Sequence, residues 1–354
     1  MAKTFALSPA QPCTYGDRLR NLWNLPLQRL ATYCQPFERP GGYFKVSPQA
    51  SCNGADWIGL ERTWTVIEET LPFRLLKRRE YAHLLWSHFR APIQDIQQTA
   101  CVLIDHLNRN ANFFHWFLDA LPRIFAAEAY EYISGTPCYL VVPATLQPWQ
   151  WDSLKFLGMQ AERIIQIQDG TPLQGYRFDN LVSTFSHRHI RHSPTGHFDA
   201  LSPDAIHKLS ERMAQGAGIP TAVETKVKRL YISRGTAGKR RVLNEDLIMD
   251  LLSAYGFQRV CPDKLCLADQ IHLFRGASHV IAPHGGALTN LLHVSPGCQV
   301  LEVFQSSHGL RPDFFQLAAL KGATYSFCTA ETLNASHDIE ISAHVLHSFL
   351  EASL

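Results

Sequence analysis

Strand and helix signals alternate through two successive stretches of this chain, and that double alternation restricts the fold more than any other feature. From Cys101 on, "CVLID" reads as a buried strand and "NFFHWFLDALPRIFAAEAYEYI" as a helix with Asn112 as its N-cap. "PCYLVVP" follows as a strand, then a helix from about Leu146 to Leu157, then strands at "RIIQI" and "NLVSTF". A polar stretch containing Gly and Pro, "AQGAGIPTAVETKVK", marks a boundary near residue 220. The second series then begins. Strands at "RLYIS", "FQRVC", "HVIAP", "QVLEVF" and "TYSFC" are separated by helices at Asn244–Tyr255, "LADQIHLFRGA", "HGGALTNLLH" and "DFFQLAALKG", and a terminal helix runs from about Ile339 to Leu350. Such alternation predicts parallel sheets covered on both faces. The expected fold class is therefore α/β, with domains at 1–220 and 221–354. Two such units place a ligand in the cleft between them, at the carboxyl ends of strands. Residues 1–100 carry no sustained period; they predict loops, short strands and a helix near Arg78–Phe89.

The chain's 354 residues suit two cores, since roughly 150 residues make a domain. A composition 46% hydrophobic, with 20 Phe and 7 Trp, can fill them. The net charge of +2 argues against a general nucleic-acid binder, which needs a strong basic excess. The nine Cys form no C-x-x-C pair, and the closest, Cys261 and Cys266, match no common zinc spacing. They read as free thiols in a reducing compartment. Residues Met1–Arg20 lack the apolar core of a secretory signal, and no apolar run approaches roughly 18 residues. A cytoplasmic enzyme is the expectation, with peripheral attachment to a membrane left open.

Two motifs predict an anion site in the second domain. In "VIAPHGGALTNLL", a buried strand runs through His284 into Gly285, Gly286 and Ala287 and then a helix bearing Thr289 and Asn290. Glycines let backbone approach a ligand, and a helix start offers unpaired N–H groups to a diphosphate. In "YISRGTAGKRRVLNE", Arg234 ends a strand, and Lys239, Arg240 and Arg241 follow in a loop before Asn244. A guanidinium matches phosphate oxygens bidentately. Arg234 and one of Arg240 or Arg241 are the expected contacts; Lys239 reads as solvated. The loop is too short for a P-loop, and no G-x-G-x-x-G occurs.

The helix "NFFHWFLDALPRI" sets His115, Asp119 and Arg123 four apart on one polar stripe, with Phe113, Phe117, Ala120 and Ile124 on another face. A His and a carboxylate on one edge can supply or orient a general base; equally, the pair can simply hold the helix. Glu302, in "QVLEVF", is either a ribose-hydroxyl acceptor or a buried, satisfied acid. His187, His189, His192 and His197 lie in "HRHIRHSPTGH", where His-x-His spacing suits a metal but two Arg oppose one. A mobile basic loop is the expectation there, with no metal.

Together "NFFHWFLDALPRI", "ISRGTAGKRRVLNE", "LADQIHLFRGA" and "HGGALTNLL" with "LEVF" after it resemble glycosyltransferase family 61, in the family's order from roughly Cys101 to Phe304. One departure is Gly286-Ala287, where the family more often reads Ala-Gly. The resemblance implies two Rossmann-like domains facing a cleft (the GT-B fold) and an inverting reaction from a nucleotide-sugar donor, usually UDP-linked, to a glycan or other hydroxyl acceptor. It implies donor binding by the C-terminal domain through Arg234, Arg240, Arg241, Asn244, the turn at His284–Ala287, Thr289, Asn290 and Glu302. His115 and Asp119 become the catalytic candidates, with Asn112 and Arg123 beside them. No Asp-x-Asp occurs, and arginines with a helix start can replace a metal, so a metal-independent enzyme without a cofactor is expected. A sugar-nucleotide epimerase, a phosphorylase of the same fold and a non-catalytic sugar-binding protein are the alternatives.

Overall fold

A computed structural model describes the chain apart from residues 1, 24, 28–29, 40, 54–56, 71–77, 105–110, 168–173, 185–188, 194–195, 221–227, 236 and 308. The fold is α/β. It divides into two compact units: Met1–Gln11 with Glu38–Leu209, and Pro12–Phe37 with Ser210–Leu354. Both unit limits differ from the expected ones. The division falls at 209/210, inside a helix at Pro203–Gly216 for which the sequence reading named no element. Its Ala205, Ile206, Leu209, Met213 and Ala214 are buried at helical spacing, behind a polar outer face. Residues 12–37 join the second unit, which nothing in the sequence announces.

The first unit holds β1 (Lys3–Ala6), β2 (Tyr43–Pro48), β3 (Ser51–Asn53), β4 (Gly59–Leu60), β5 (Ile93–Val102), β6 (Tyr139–Pro143), β7 (Ile164–Ile167) and β8 (Gly175–Thr184). Its strand order is β1-β2-β8-β5-β6-β7, with β3 on β8 and β4 on β3. β8, β5, β6 and β7 are parallel, as the alternation predicts. β1, β2, β3 and β4 pair antiparallel and extend the sheet with strands too short to show a period. Helix α1 (Arg78–Arg90) precedes β5; α2 (Ile124–Ser134) and α3 (Pro148–Phe156) make the crossovers to β6 and β7; α4 is the Pro203–Gly216 helix. Gly135, at φ 66, ends α2 in the left-handed conformation that favours glycine.

The predicted helix from Asn112 is not continuous. It opens as one α-turn, passes through a π-segment at Trp116–Ala120 and a 3₁₀ turn at Leu121–Arg123, and becomes α2 at Ile124. Pro122 is the physical reason. Its ring clashes with the carbonyl four residues back and it lacks an N–H, and widening the preceding turn to an i→i+5 bond, Leu121 N–H to Trp116 O, accommodates both.

The second unit has β9 (Arg229–Ile232), β10 (Phe257–Val260), β11 (His279–Pro283), β12 (Gln299–Gln305) and β13 (Thr324–Ala330), all parallel, in the order β10-β9-β11-β12-β13. The short Leu19–Arg20 strand adds to β13, again parallel. Helices α5 (Glu245–Ser253), α6 (Leu267–Arg275), α7 (Asp313–Leu320) and α8 (Ala343–Ser353) cover the faces. Tyr231, Ile281, Leu301 and Val303 from the strands pack against Ile248, Leu252, Leu346 and Phe349 from α5 and α8. The segment after Gly285 is a 3₁₀ helix, Gly286–His293, where an α-helix was expected.

All nine cysteines are free. Burial pushes the Cys52 and Cys101 thiols up to about 12, which leaves them unreactive. Among the described residues, no helix is long and apolar enough to cross a membrane.

Candidate functional site

In the second unit the chain runs β9 to β10 on one side, then returns to β11 on the other side of β9. The carboxyl ends of β9 and β11 therefore flank the topological switch point, where connections leave in opposite directions and a crevice opens. The two Gly- and Arg-bearing motifs lie there. β9 runs into Ser233 and Arg234, and β11 into His284 and Gly285. A Cβ on Gly285 would collide with Nη1 of Arg234, so the guanidinium crosses the bare face of this glycine. Gly285 has φ 168, which any residue adopts. Close approach is thus the requirement for glycine here. Gly286 and Ala287 are partly exposed at the start of the 3₁₀ helix, where backbone N–H groups lack helical partners.

Among the described residues, the Arg234 side chain makes one long bond, Nη2 to the Lys239 carbonyl at 3.5 Å, and its Nε is buried without a partner. Burial first, then the like charge of Arg240, lowers its guanidinium below the ordinary arginine value; Asp263 opposes this. Arg240 is lowered by burial and by Arg311. Neither Arg234 nor Arg240 forms an ion pair among the described residues. Three cations thus sit near one another, two of them partly desolvated, and an anion would relieve their repulsion. Arg311 was missed in the sequence because it follows β12 in an irregular stretch with no motif around it. Arg240 adopts φ 59, left-handed for a non-glycine, and its N–H donates to Ser336 O at 2.8 Å.

Several expected ligand contacts have other work. Asp338 accepts from the Arg241 backbone N–H at 2.8 Å and from its Nη2 at 2.9 Å, so Arg241 anchors the 334–338 turn. The Asn244 amide pairs both ways with the Ile341 backbone, at 2.9 and 3.1 Å. Thr289 and Asn290 are about 1% exposed, and Asn290 ties the 3₁₀ helix to Gln270 of α6 at 2.9 Å. Glu302 has no exposed surface, and its carboxylate accepts from His284 Nδ1 at 2.5 Å and Tyr325 OH at 2.6 Å. It is the buried, satisfied acid and not a ribose acceptor. Burial and the Glu302 charge push the Tyr325 phenol well up, so it remains a donor. A carboxylate only accepts, so His284 carries its hydrogen on Nδ1. Stacked on Phe304, the His284 ring is fixed just before Gly285.

In the first unit, the Asn112 side chain accepts from the His115 N–H at 3.3 Å, as an N-cap does. His115 Nδ1 lies 2.6 Å from Asp119 Oδ2. The His115 side chain is 18% exposed and that of Asp119 only 3%. By the same donor logic, Asp119 holds the hydrogen on Nδ1 and leaves Nε2 as the basic nitrogen. Arg123 is placed apart in role: Nη1 donates to the Val102 and Ile104 carbonyls at the end of β5, at 3.1 and 3.4 Å. Among the described residues no three His, Cys, Asp or Glu gather as a metal-ligand set. The expected basic loop contains a hairpin, His189–Ser193 with Gly196–Asp199; His187 lies outside the described residues, as do the side chains of His189, His192 and His197.

A parallel sheet with a glycine-backed arginine at its switch point fits the class of α/β proteins that hold phosphorylated ligands at strand ends. The sequence model of the glycosyltransferase 61 family matches residues 113–301, over half of the chain, and the protein belongs to that family. Over 138 residues it is 31% identical to the EGF domain-specific O-linked N-acetylglucosamine transferase of Drosophila melanogaster. That match covers 38% of this chain and about a quarter (24%) of the relative.

Proposed function

We propose that this glycosyltransferase moves a sugar, with inversion, from a UDP-linked donor to a hydroxyl acceptor, in a GT-B arrangement and without a metal. The observation carrying this reading is the Arg234 guanidinium laid across Gly285 at the switch point of the second sheet. Arg234 and Arg240 take the diphosphate, with the N–H groups of Gly286 and Ala287 beside them. As the bond between the anomeric carbon and the diphosphate breaks, negative charge grows on the leaving phosphate, and fixed cations and N–H donors stabilise it there. His115 Nε2 accepts the proton of the acceptor hydroxyl, whose oxygen attacks the anomeric carbon from the opposite side. Asp119 fixes the tautomer and stabilises the imidazolium that results. The relative's printed activity makes N-acetylglucosamine the first donor sugar to try.

The test is UDP release from a panel of UDP-sugars supplied with hydroxyl acceptors, in the presence of EDTA. One donor is expected to turn over with EDTA present. Asp119→Asn is expected to lower that turnover by about 10²–10⁴-fold, the usual worth of general-base catalysis, while UDP affinity holds. Activity that EDTA abolishes and manganese restores would contradict metal independence. Normal turnover by Asp119→Asn would remove the His115–Asp119 pair from the chemistry.

A further inference from the structure

The first unit has a switch point of its own. From β5 the chain crosses to β6 and β7 on one side, then returns as β8 on the other. Where the carboxyl ends of β5 and β8 diverge lies a recess of about 20 Å³, lined among others by Trp57, Glu69, Thr70, Arg123, Ser183 and Thr184. A volume of this size holds one water or one hydroxyl group. Most of its polar lining is occupied: Thr70 Oγ1 accepts from Gly59 N–H and donates to Ile67 O, Thr184 Oγ1 donates to Tyr43 O, and Arg123 donates to Val102 O and Ile104 O. Two atoms are not. Glu69 Oε2 and Ser183 Oγ are buried with no hydrogen-bond partner among the described residues, and Ser183 is only 6% exposed. Buried polar groups are nearly always paired, so two orphans at one recess indicate a missing partner.

We propose that this recess is an acceptor subsite, in which Glu69 Oε2 and Ser183 Oγ grip one hydroxyl of a neutral sugar. The proposal rests on the glycosyl-transfer reading above. A hydroxyl donates one hydrogen bond and accepts others, so a single group satisfies both orphans: it donates to the carboxylate and accepts from the serine. The surrounding charge selects a neutral group. Arg123 at the same recess opposes a cation, and Glu69 opposes an anion.

Saturation-transfer NMR on the full chain, with millimolar methyl glycosides of xylose, mannose, glucose, galactose and N-acetylglucosamine, tests the assignment. At least one glycoside is expected to bind, and Glu69→Gln and Ser183→Ala are each expected to weaken it roughly tenfold, the order for one hydrogen bond to a charged or buried partner. UDP affinity is expected to be unchanged in both variants. Ser183→Ala removes one oxygen and keeps the test available if Glu69→Gln does not fold. Glycoside binding equal in wild type and variants, or absent while UDP still binds, would show that the recess holds a structural water only. Glycoside binding without any UDP binding would instead overturn the nucleotide reading and leave the recess standing.

Discussion

Gly285 and Arg234 show how two residues 51 positions apart define one contact. The obstruction that a side chain at 285 would meet is the far end of a flexible arginine, not backbone. Gly285→Ala is therefore expected to fold normally and push the guanidinium aside. UDP affinity should fall about tenfold or more, the scale of a lost charged hydrogen bond, with the melting temperature nearly unchanged. A large loss of stability would mean instead that the glycine supports the turn itself. Residue types at strand ends were legible in the sequence, which is why Arg234, His284 and Gly285 could be named. Which side of the strand each faces was not. Glu302 turns inward because His284 and Tyr325 are there to receive it, and Tyr325 lies 23 positions away in a different strand. Arg241 and Asn244 look like phosphate ligands in a basic loop, yet their partners are Asp338, in a turn without periodic signal, and Ile341, which the sequence reading placed in the terminal helix and which lies just before its start at Ala343.

Among the elements, long buried strands and their helices were readable from apolar runs. Short strands were expected within residues 1–100, but their positions and antiparallel pairing were not readable, since two to six residues cannot show a period. Pro122 is visible in the sequence, but whether it kinks a helix or widens it into a π-turn depends on tertiary packing. The arginine loop is itself held by the 334–338 turn: Asp338 accepts from Arg241 twice and Ser336 accepts from Arg240. The Arg241 side-chain and backbone bonds, with one from Asn334, depress the Asp338 carboxyl to about 2, from an ordinary value of 3.8. A depressed acid stabilises the fold above its unfolded value and loses that contribution as pH falls through its folded one. The stability gap between wild type and Asp338→Asn should thus be full above about pH 4 and close between pH 4 and 2. Urea midpoints for both proteins across that range would show it, and a gap of constant size would contradict it.

At the scale of the whole molecule, the α/β class was legible from alternation, but which residues make up each compact unit was not. Residues 12–37 belong to the second unit, and among the described residues the strand they place in its sheet is Leu19–Arg20, far below what sequence pattern can detect. The family match, residues 113–301, takes in the His115–Asp119 pair of the first unit and the Arg234 and Gly285 contact of the second. It omits Glu69 of the proposed acceptor recess. The central claim is that a nucleotide diphosphate is held at the second switch point by Arg234. Isothermal titration of UDP into wild type and Arg234→Ala measures this most directly, with circular dichroism as the check that both are folded. The expected result is micromolar-to-millimolar UDP binding that weakens by roughly 10- to 100-fold in the variant, the worth of a charge-assisted hydrogen bond. Equal UDP affinity in a folded Arg234→Ala protein would contradict the claim.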